Sequence, residues 1–192
     1  MKYRTIVADP PWPMIGDCDY RTRPLAPKGG LRGRDGFAPY NLQTLDEIRA
    51  LPVVDIAEDE SHLYLWVTAG LNRIGEGVKT AEAWGFKVVS EMVWCKPCFG
   101  LGKFPRPQHE IILVCRRGSL PFTTNTVGSV GHWNAPRKHS QKPEAFLDVV
   151  ESASPGPYIE LFARRQRFKW DSWGNECRCD IDLSNQQNGA TK

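Results

Sequence analysis

Thr5-Ile6-Val7-Ala8-Asp9-Pro10-Pro11-Trp12 is an apolar run that halts on an acid, two prolines and an indole. The run has the unbroken hydrophobicity of a strand buried on both faces, and prolines cannot donate to a sheet ladder, so the strand ends at Asp9. Open α/β sheets bind their ligands in the crevice just past the carboxyl ends of strands. Asp-Pro-Pro can simply turn a chain, but at this position Asp9, Pro10, Pro11 and Trp12 also form a candidate site.

Outward from this stretch, His62 to Thr68, Val88 to Trp94, Glu110 to Cys115 and Tyr158 to Phe162 repeat the pattern of short apolar runs closed by polar, Gly or Pro residues. Between them lie helical signals. Leu45 to Leu51 follows Thr44 with Glu47 in a capping-box arrangement, and Ala145 to Val150 follows Pro143. Ile74, Val78 and Ala81 recur at helical spacing and predict a helix over Asn72 to Trp84. Strands alternating with helices predict an α/β domain with a mostly parallel sheet.

Two long segments, Pro13 to Tyr40 and Lys96 to His109, are rich in Gly and Pro and net basic. The first sets Arg21, Arg23, Lys28, Arg32 and Arg34 against Asp17, Asp19 and Asp35, and the second carries Lys96, Lys103 and Arg106. Loops of that length in a compact domain are usually functional or disordered. Basic loops beside a strand-end site suit a phosphate backbone, although solvated surface loops look the same in sequence. Arg137, Lys138, Arg165, Arg167 and Lys169 extend this possible phosphate track, and Trp133 and Phe104 are aromatic groups able to stack on a base.

The chain has 192 residues, 41% hydrophobic and 24% charged, which is the composition of one globular domain. The expected boundaries are a single domain over 1–183 and a polar, disordered tail over 184–192. No stretch approaches the roughly 20 apolar residues of a membrane span. Met1 to Thr5 shows no export signal, so a cytoplasmic protein is expected. The net charge of +3 is too small to argue by itself for a polyanionic partner. The six cysteines read as free thiols in a reducing compartment. The rival reading joins Cys95 and Cys98 with Cys177 and Cys179 as a zinc site, though the second pair is only CxC and small apolar thiols are common in cores. No metal is expected.

One chemistry that needs an acid beside a fixed carbonyl is alkylation of an aromatic amine. The exocyclic amine of adenine is a poor nucleophile because its lone pair is delocalised into the ring. A carboxylate accepting one amine hydrogen and a carbonyl accepting the other would pull the nitrogen towards tetrahedral geometry and aim the pair at an electrophilic methyl. Asp9 supplies the first acceptor and the Pro10 carbonyl, fixed between two prolines, the second. Trp12 is then expected to stack on the base, which must be flipped out or single-stranded.

VADPPW (7–12), LYLWVT (63–68), VWCKP (93–97), HEIILVCRRG (109–118), HSQKP (139–143), YIELFAR (158–164) and WGNE (173–176) follow one another in the order seen in N(6)-adenine methyltransferases. The chain resembles the family named for the seventy-kilodalton catalytic subunit of the mRNA adenosine methyltransferase, specifically its stand-alone bacterial and phage members. The resemblance spans about residues 4 to 176. It implies a Rossmann-like fold with a mostly parallel central sheet and helices on both faces. It also implies S-adenosylmethionine as methyl donor and a catalytic motif that precedes the cofactor motifs.

Residue by residue, the resemblance makes Asp9, Pro10, Pro11 and Trp12 the catalytic motif and places Tyr40, Glu110 and Lys142 near the target base. Lys142 also lies near the cofactor, whose methionine end or ribose falls to Arg164 and Asn175. Glu176 stands where eukaryotic members have glutamine, and Gln166 and Arg167 replace the family's His and Asn. Eukaryotic members hold the cofactor adenine with an acid and an aliphatic residue before the catalytic strand. Here Asp180 and Ile181 have the chemistry to substitute. The expected partner is nucleic acid, DNA ahead of RNA, bound through loops 13–40 and 96–109, with a second subunit or second copy as a further possibility. The alternative from another class is an inactive nucleic-acid-binding scaffold, against which the intact tetrapeptide argues.

Overall fold

The computed structural model describes residues 1–13, 32–33, 36–37, 43–99, 105–134 and 141–183. Its elements are β1 (Tyr3–Ala8), β2 (Arg32–Gly33), β3 (Gly36–Phe37), α1 (Leu45–Arg49), α2 (Val53–Ile56), β4 (Ala57–Val67) and α3 (Ala69–Arg73). There follow α4 (Glu76–Ala83), β5 (Lys87–Cys95), β6 (His109–Arg117), β7 (Val130–Gly131), α5 (Glu144–Ala153), β8 (Tyr158–Leu161) and β9 (Trp170–Trp173). Seven strands form one sheet in the order β7-β5-β6-β4-β1-β8-β9, and β2 pairs with β3 in a separate ribbon.

Within the large sheet only the two pairings made by β6 are antiparallel. The sheet is mostly parallel, as the alternation of strands and helices predicts. β1 lies inside the sheet, with β4, the middle strand, on one side and β8, which comes last but one in sequence, on the other. This reversal of strand order opens a crevice at the carboxyl ends of β1 and β8. Because β6 runs the other way, its first residues, not its last, stand at the same rim: Ile111 pairs with Val67 and Glu110 with Trp94.

Strand alternation divides the apolar residues between two layers. Leu63, Leu65 and Val67 of β4, with Ile111, Leu113 and Cys115 of β6, pack under α1 to α4 through Leu45, Ile48, Val53, Leu71 and Ala81. Tyr64, Trp66, Ile112 and Val114 face the other way and meet Phe146, Leu147 and Val150 of α5. Helices therefore cover both faces, which is why these strands read as continuous apolar runs.

The sequence-based boundaries differ from the observed ones where local chemistry intervenes. The capping box at α1 forms as expected, with Thr44 Oγ1 accepting from the Glu47 amide at 3.1 Å and Glu47 Oε2 from the Thr44 amide at 2.7 Å. The single helix expected over Asn72 to Trp84 is two, because Gly75 adopts φ 76° and breaks the ladder between α3 and α4. β4 starts at Ala57, well before its apolar run, through the polar stretch Glu58-Asp59-Glu60. β7 and β9 are short and carry no long apolar run that would announce them.

A fully buried polar network closes the sheet away from the crevice. His62 Nε2 bonds the Leu120 carbonyl at 2.9 Å, so Nδ1 accepts from Ser154 Oγ at 2.8 Å, and Tyr64 donates to that same oxygen at 2.8 Å. Burial holds the His62 imidazole below its ordinary value of 6.5, opposed by its bond to Leu120 and reinforced by the repulsion of Arg116 and Arg4. The unfolded chain therefore binds this proton at a higher pH than the folded one, and stability present above about pH 6.5 is lost as pH falls. The melting temperature should decline between pH 7.5 and 5 and do so less steeply in His62→Gln. Parallel pH profiles for the two proteins would contradict a neutral, buried His62.

Candidate active site

β1 delivers Asp9 to the rim, where its amide donates to the Leu161 carbonyl of β8 at 3.4 Å. The next residues turn tightly, the Trp12 amide donating to the Pro10 carbonyl at 2.8 Å. That carbonyl keeps a second lone pair for another donor. Trp12 is only 7% exposed and its Nε1 donates to the Trp66 carbonyl of β4 at 2.7 Å. The expected stacking of Trp12 on a base is therefore corrected: its indole belongs to the apolar core and pins the tetrapeptide to the sheet. A bond of that kind contributes about 1 kcal/mol and fixes the direction in which Asp9 leaves the strand.

Three elements bring their charges to Asp9. Lys142, on the segment before α5, places Nζ 2.8 Å from Asp9 Oδ2 and 3.1 Å from Glu110 Oε2. The other Glu110 oxygen pairs with Lys96, just past the end of β5. Lys142 also lies 5.2 Å from the ring centre of Trp66, which forms the apolar floor. The four side chains make an alternating row, Asp9, Lys142, Glu110, Lys96, with equal numbers of negative and positive groups.

Burial raises Asp9 above the ordinary carboxylate value; Lys142 opposes this and the nearby Glu110 adds to it. Burial works the same way on Glu110, but Lys142 and Lys96 together outweigh it and hold that carboxyl below its ordinary value. For Lys142 burial acts to lower the ammonium, and attraction to Asp9 and Glu110 raises it instead. Lys142 is therefore charged throughout the physiological range. Glu110 and Lys142, named from sequence as target-base candidates, are thus brought to Asp9. Tyr40 lies outside the described residues.

A further carboxylate lines the same cleft and was missed by the sequence reading. Glu160 of β8 pairs with Val7 of β1, and strand alternation turns it to the same face as Asp9. With Asp9, Lys142, Phe162 and Arg164 it borders one cleft. Burial pushes its carboxyl up to about 7, Arg165 opposing and Asp9 reinforcing the shift. Arg165 donates instead to the Lys142 carbonyl at 3.5 Å, and its buried Nε has no partner among the described residues. The signal was present as an acid inside the apolar run Tyr158-Ile159-Glu160-Leu161. A titratable group so perturbed in a cleft is a candidate functional residue.

At the exit of β8 the chain is forced into an uncommon shape. Phe162 has φ 61°, a conformation bulky residues rarely adopt, and its ring meets Trp173 edge-on at 5.2 Å. A Cβ on Gly174 would stand 2.6 Å from the Ala163 nitrogen, so only glycine allows the two backbones to pack there. This packing sets the loop that carries Asn175 and Glu176. Glu176 Oε1 pairs with Arg164 Nη1 at 3.0 Å, and Asn175 is exposed.

Asp180 and Ile181 are engaged differently from the expectation. Asp180 Oδ2 accepts from the Ser172 amide at 2.9 Å and hydroxyl at 3.1 Å, and the Asp180 amide donates to the Ser172 carbonyl at 2.8 Å. These bonds satisfy the outer edge of β9, while Ile181 packs against the core. Arg167 is likewise corrected as a phosphate contact, because Glu151 and Asp148 on α5 already bind it, at 3.0 and 2.5 Å. The four-thiolate zinc alternative is overturned by topology. Cys95 ends β5 and Cys177 follows β9, with β6, β4, β1 and β8 between them, a separation of about 24 Å at ordinary strand spacing.

The MT-A70 family model matches residues 3–176. The Type II methyltransferase M.MunI of Mycoplasma sp is 31% identical over 91% of this chain and 78% of its own length. The human N(6)-adenosine-methyltransferase catalytic subunit METTL3 is 25% identical over 91% of this chain but only 28% of its own length. The N6-methyladenosine RNA methyltransferase MTA1 of Cryphonectria parasitica is 28% identical over 89% of this chain and 50% of its own. This chain thus spans most of the bacterial relative and half or less of these eukaryotic ones.

Gly174→Ala should lower unfolding free energy by about 3 kcal/mol, the upper range for overpacking, because the new methyl meets backbone rather than a yielding side chain. Urea denaturation measures this. A variant as stable as the parent would show that the Ala163–Gly174 approach is not tight.

Proposed function

Because the chain belongs to the MT-A70 family of adenine N6-methyltransferases, we propose that it methylates the exocyclic N6 amine of adenine in DNA, with Asp9 and the Pro10 carbonyl orienting that amine. The observation that carries this reading is a partly buried acid beside a proline-fixed carbonyl at the sheet's switch point, held in place by Lys142. DNA is preferred because the relative whose length this chain largely spans is the Type II methyltransferase. RNA adenosine is the second reading, favoured by the METTL3 relatives.

Methyltransferases of this family use S-adenosylmethionine, which supplies a methyl already activated on a sulfonium. The cleft fits such a zwitterion. Glu160 offers a counter-charge for an ammonium, Lys142 and Arg164 for a carboxylate, and Arg165 Nε, buried without a partner among the described residues, is a further donor. Asn175 and Glu176 stand on the loop fixed by Gly174 and would accept from or donate to ribose hydroxyls. Asp180 and Ile181 stay with β9 and the core, so we assign them no contact with the cofactor adenine.

In the reaction, Asp9 accepts one amine hydrogen and the free lone pair of the Pro10 carbonyl accepts the other, which relocalises the nitrogen lone pair. Lys142, 2.8 Å from Asp9 Oδ2, favours the ionised form against the burial that raises this carboxyl. Asp9 would stabilise the positive charge that the amine nitrogen gains when the methyl leaves the donor sulfur for it, and would accept the proton the nitrogen then releases. Glu110 lies on the far side of Lys142, where it faces the target base. The segments 13–40 and 96–109 would run along the phosphate backbone, and residues 1–183 act as one catalytic unit.

Transfer of a labelled methyl to single- and double-stranded DNA and RNA tests the reading. Incorporation as N(6)-methyladenine is expected, with Asp9→Ala reducing turnover by about 10³-fold, the loss of one orienting and charge-stabilising group, and donor affinity nearly unchanged. A variant that keeps most of its activity would overturn the role of Asp9, and donor binding without transfer to any nucleic acid would favour the scaffold reading.

A further inference from the structure

Lys96 lies outside the tetrapeptide and outside the cleft residues, yet it completes the charge row. It follows β5 directly, and its amide donates to the Gln108 carbonyl at 2.8 Å, adding one rung to the β5–β6 ladder beside Glu110. Its ammonium lies 5.2 Å from the ring centre of Trp94, the cross-strand partner of Glu110, and pairs with Glu110 Oε1. Lys142 takes the opposite oxygen, Oε2, at 3.1 Å. One carboxylate is thus shared between two ammonium groups, and one of those is shared again with Asp9.

We propose that Lys96 is a positioning residue for the methyl-transfer site: by neutralising Glu110 it leaves Lys142 balanced between two acids and so keeps Asp9 ionised and correctly aimed. This rests on the function proposed above. Without Lys96, Glu110 has Lys142 as its one remaining cation among these four side chains. A partly buried carboxylate left with half its counter-charge draws Lys142 towards itself, because desolvation makes an unpaired ion costly. Asp9 then faces Glu110 and Glu160 with less compensation, Arg164 being the other cation that acts on it. Its acceptor function would fail at a higher pH than in the parent.

The test compares Lys96→Met, Lys96→Gln and Lys96→Arg with the parent by two readouts. The first is the side-chain carboxyl titration of Asp9 and Glu110, followed by carbon-detected NMR. The second is the pH profile of methyl transfer at saturating donor. In Lys96→Met and Lys96→Gln both the Asp9 midpoint and the acid limb of turnover should move up by about 1 pH unit, the size of effect an opposite charge at this range exerts. Lys96→Arg should restore both. Unchanged midpoints in the folded neutral variants would overturn the proposal. So would a loss of about one unit in the salt slope of DNA binding with no change in the pH limb, which would make Lys96 a phosphate contact instead. Should the parent transfer no methyl at all, the methyltransferase reading fails while the NMR titration still decides whether Lys96 governs Asp9.

Discussion

Two partly buried carboxylates, Asp9 and Glu110, share the single ammonium of Lys142. Burial acts against the charged form of each acid, and a close counter-ion opposes that effect. Everything that positions Lys142 is therefore also a condition on the chemistry of Asp9. The segment carrying it runs directly into α5, which is locked to the sheet by Phe146 under Trp66 at 4.8 Å. The same Trp66 supplies the carbonyl that fixes Trp12 and the ring beneath Lys142.

This arrangement depends on one topological feature. If β6 ran parallel to its neighbours, its first residue would lie at the opposite rim and Glu110 would be a sheet's length from Asp9. The antiparallel β6 instead brings Glu110 to the carboxyl ends of β4 and β5, and Lys96 meets it because β5 ends where β6 begins. Charge balance then follows from strand direction. The Arg164 side of the cleft is built on a second constraint, the close approach of Ala163 to Gly174, which joins the exit of β8 to the loop after β9.

Several residues did different work from that suggested by their chemistry in isolation. Trp12 is aromatic beside Asp9 and reads as a stacking group, but its apolar area is better satisfied in the core. Asp180 reads as a free acid, yet the unpaired edge of β9 takes both its carboxylate and its amide. Arg167 reads as a basic surface group, and three acids of α5 surround it at 3.8 Å or closer. In each case a partner far away in sequence, or a buried surface, outcompeted the role that the side chain could have filled.

The sequence by itself determined the strand β1 and its end at Asp9, because proline cannot continue a ladder, and the two-layer burial, because unbroken apolar runs need cover on both faces. It also determined the start of α1, through the local bonds of Thr44 and Glu47, and the ordered motifs that assign the family. Strand direction, the break at Gly75 and the convergence of Asp9, Glu110, Lys142 and Lys96 were decided by tertiary structure. Glu160 was visible only as an acid within an apolar run, and its exposure to the cleft depended on its register with Val7. Local signals act through bonds spanning a few residues. An ion pair between residues more than a hundred positions apart, such as Asp9 with Lys142, exists only once the sheet has closed.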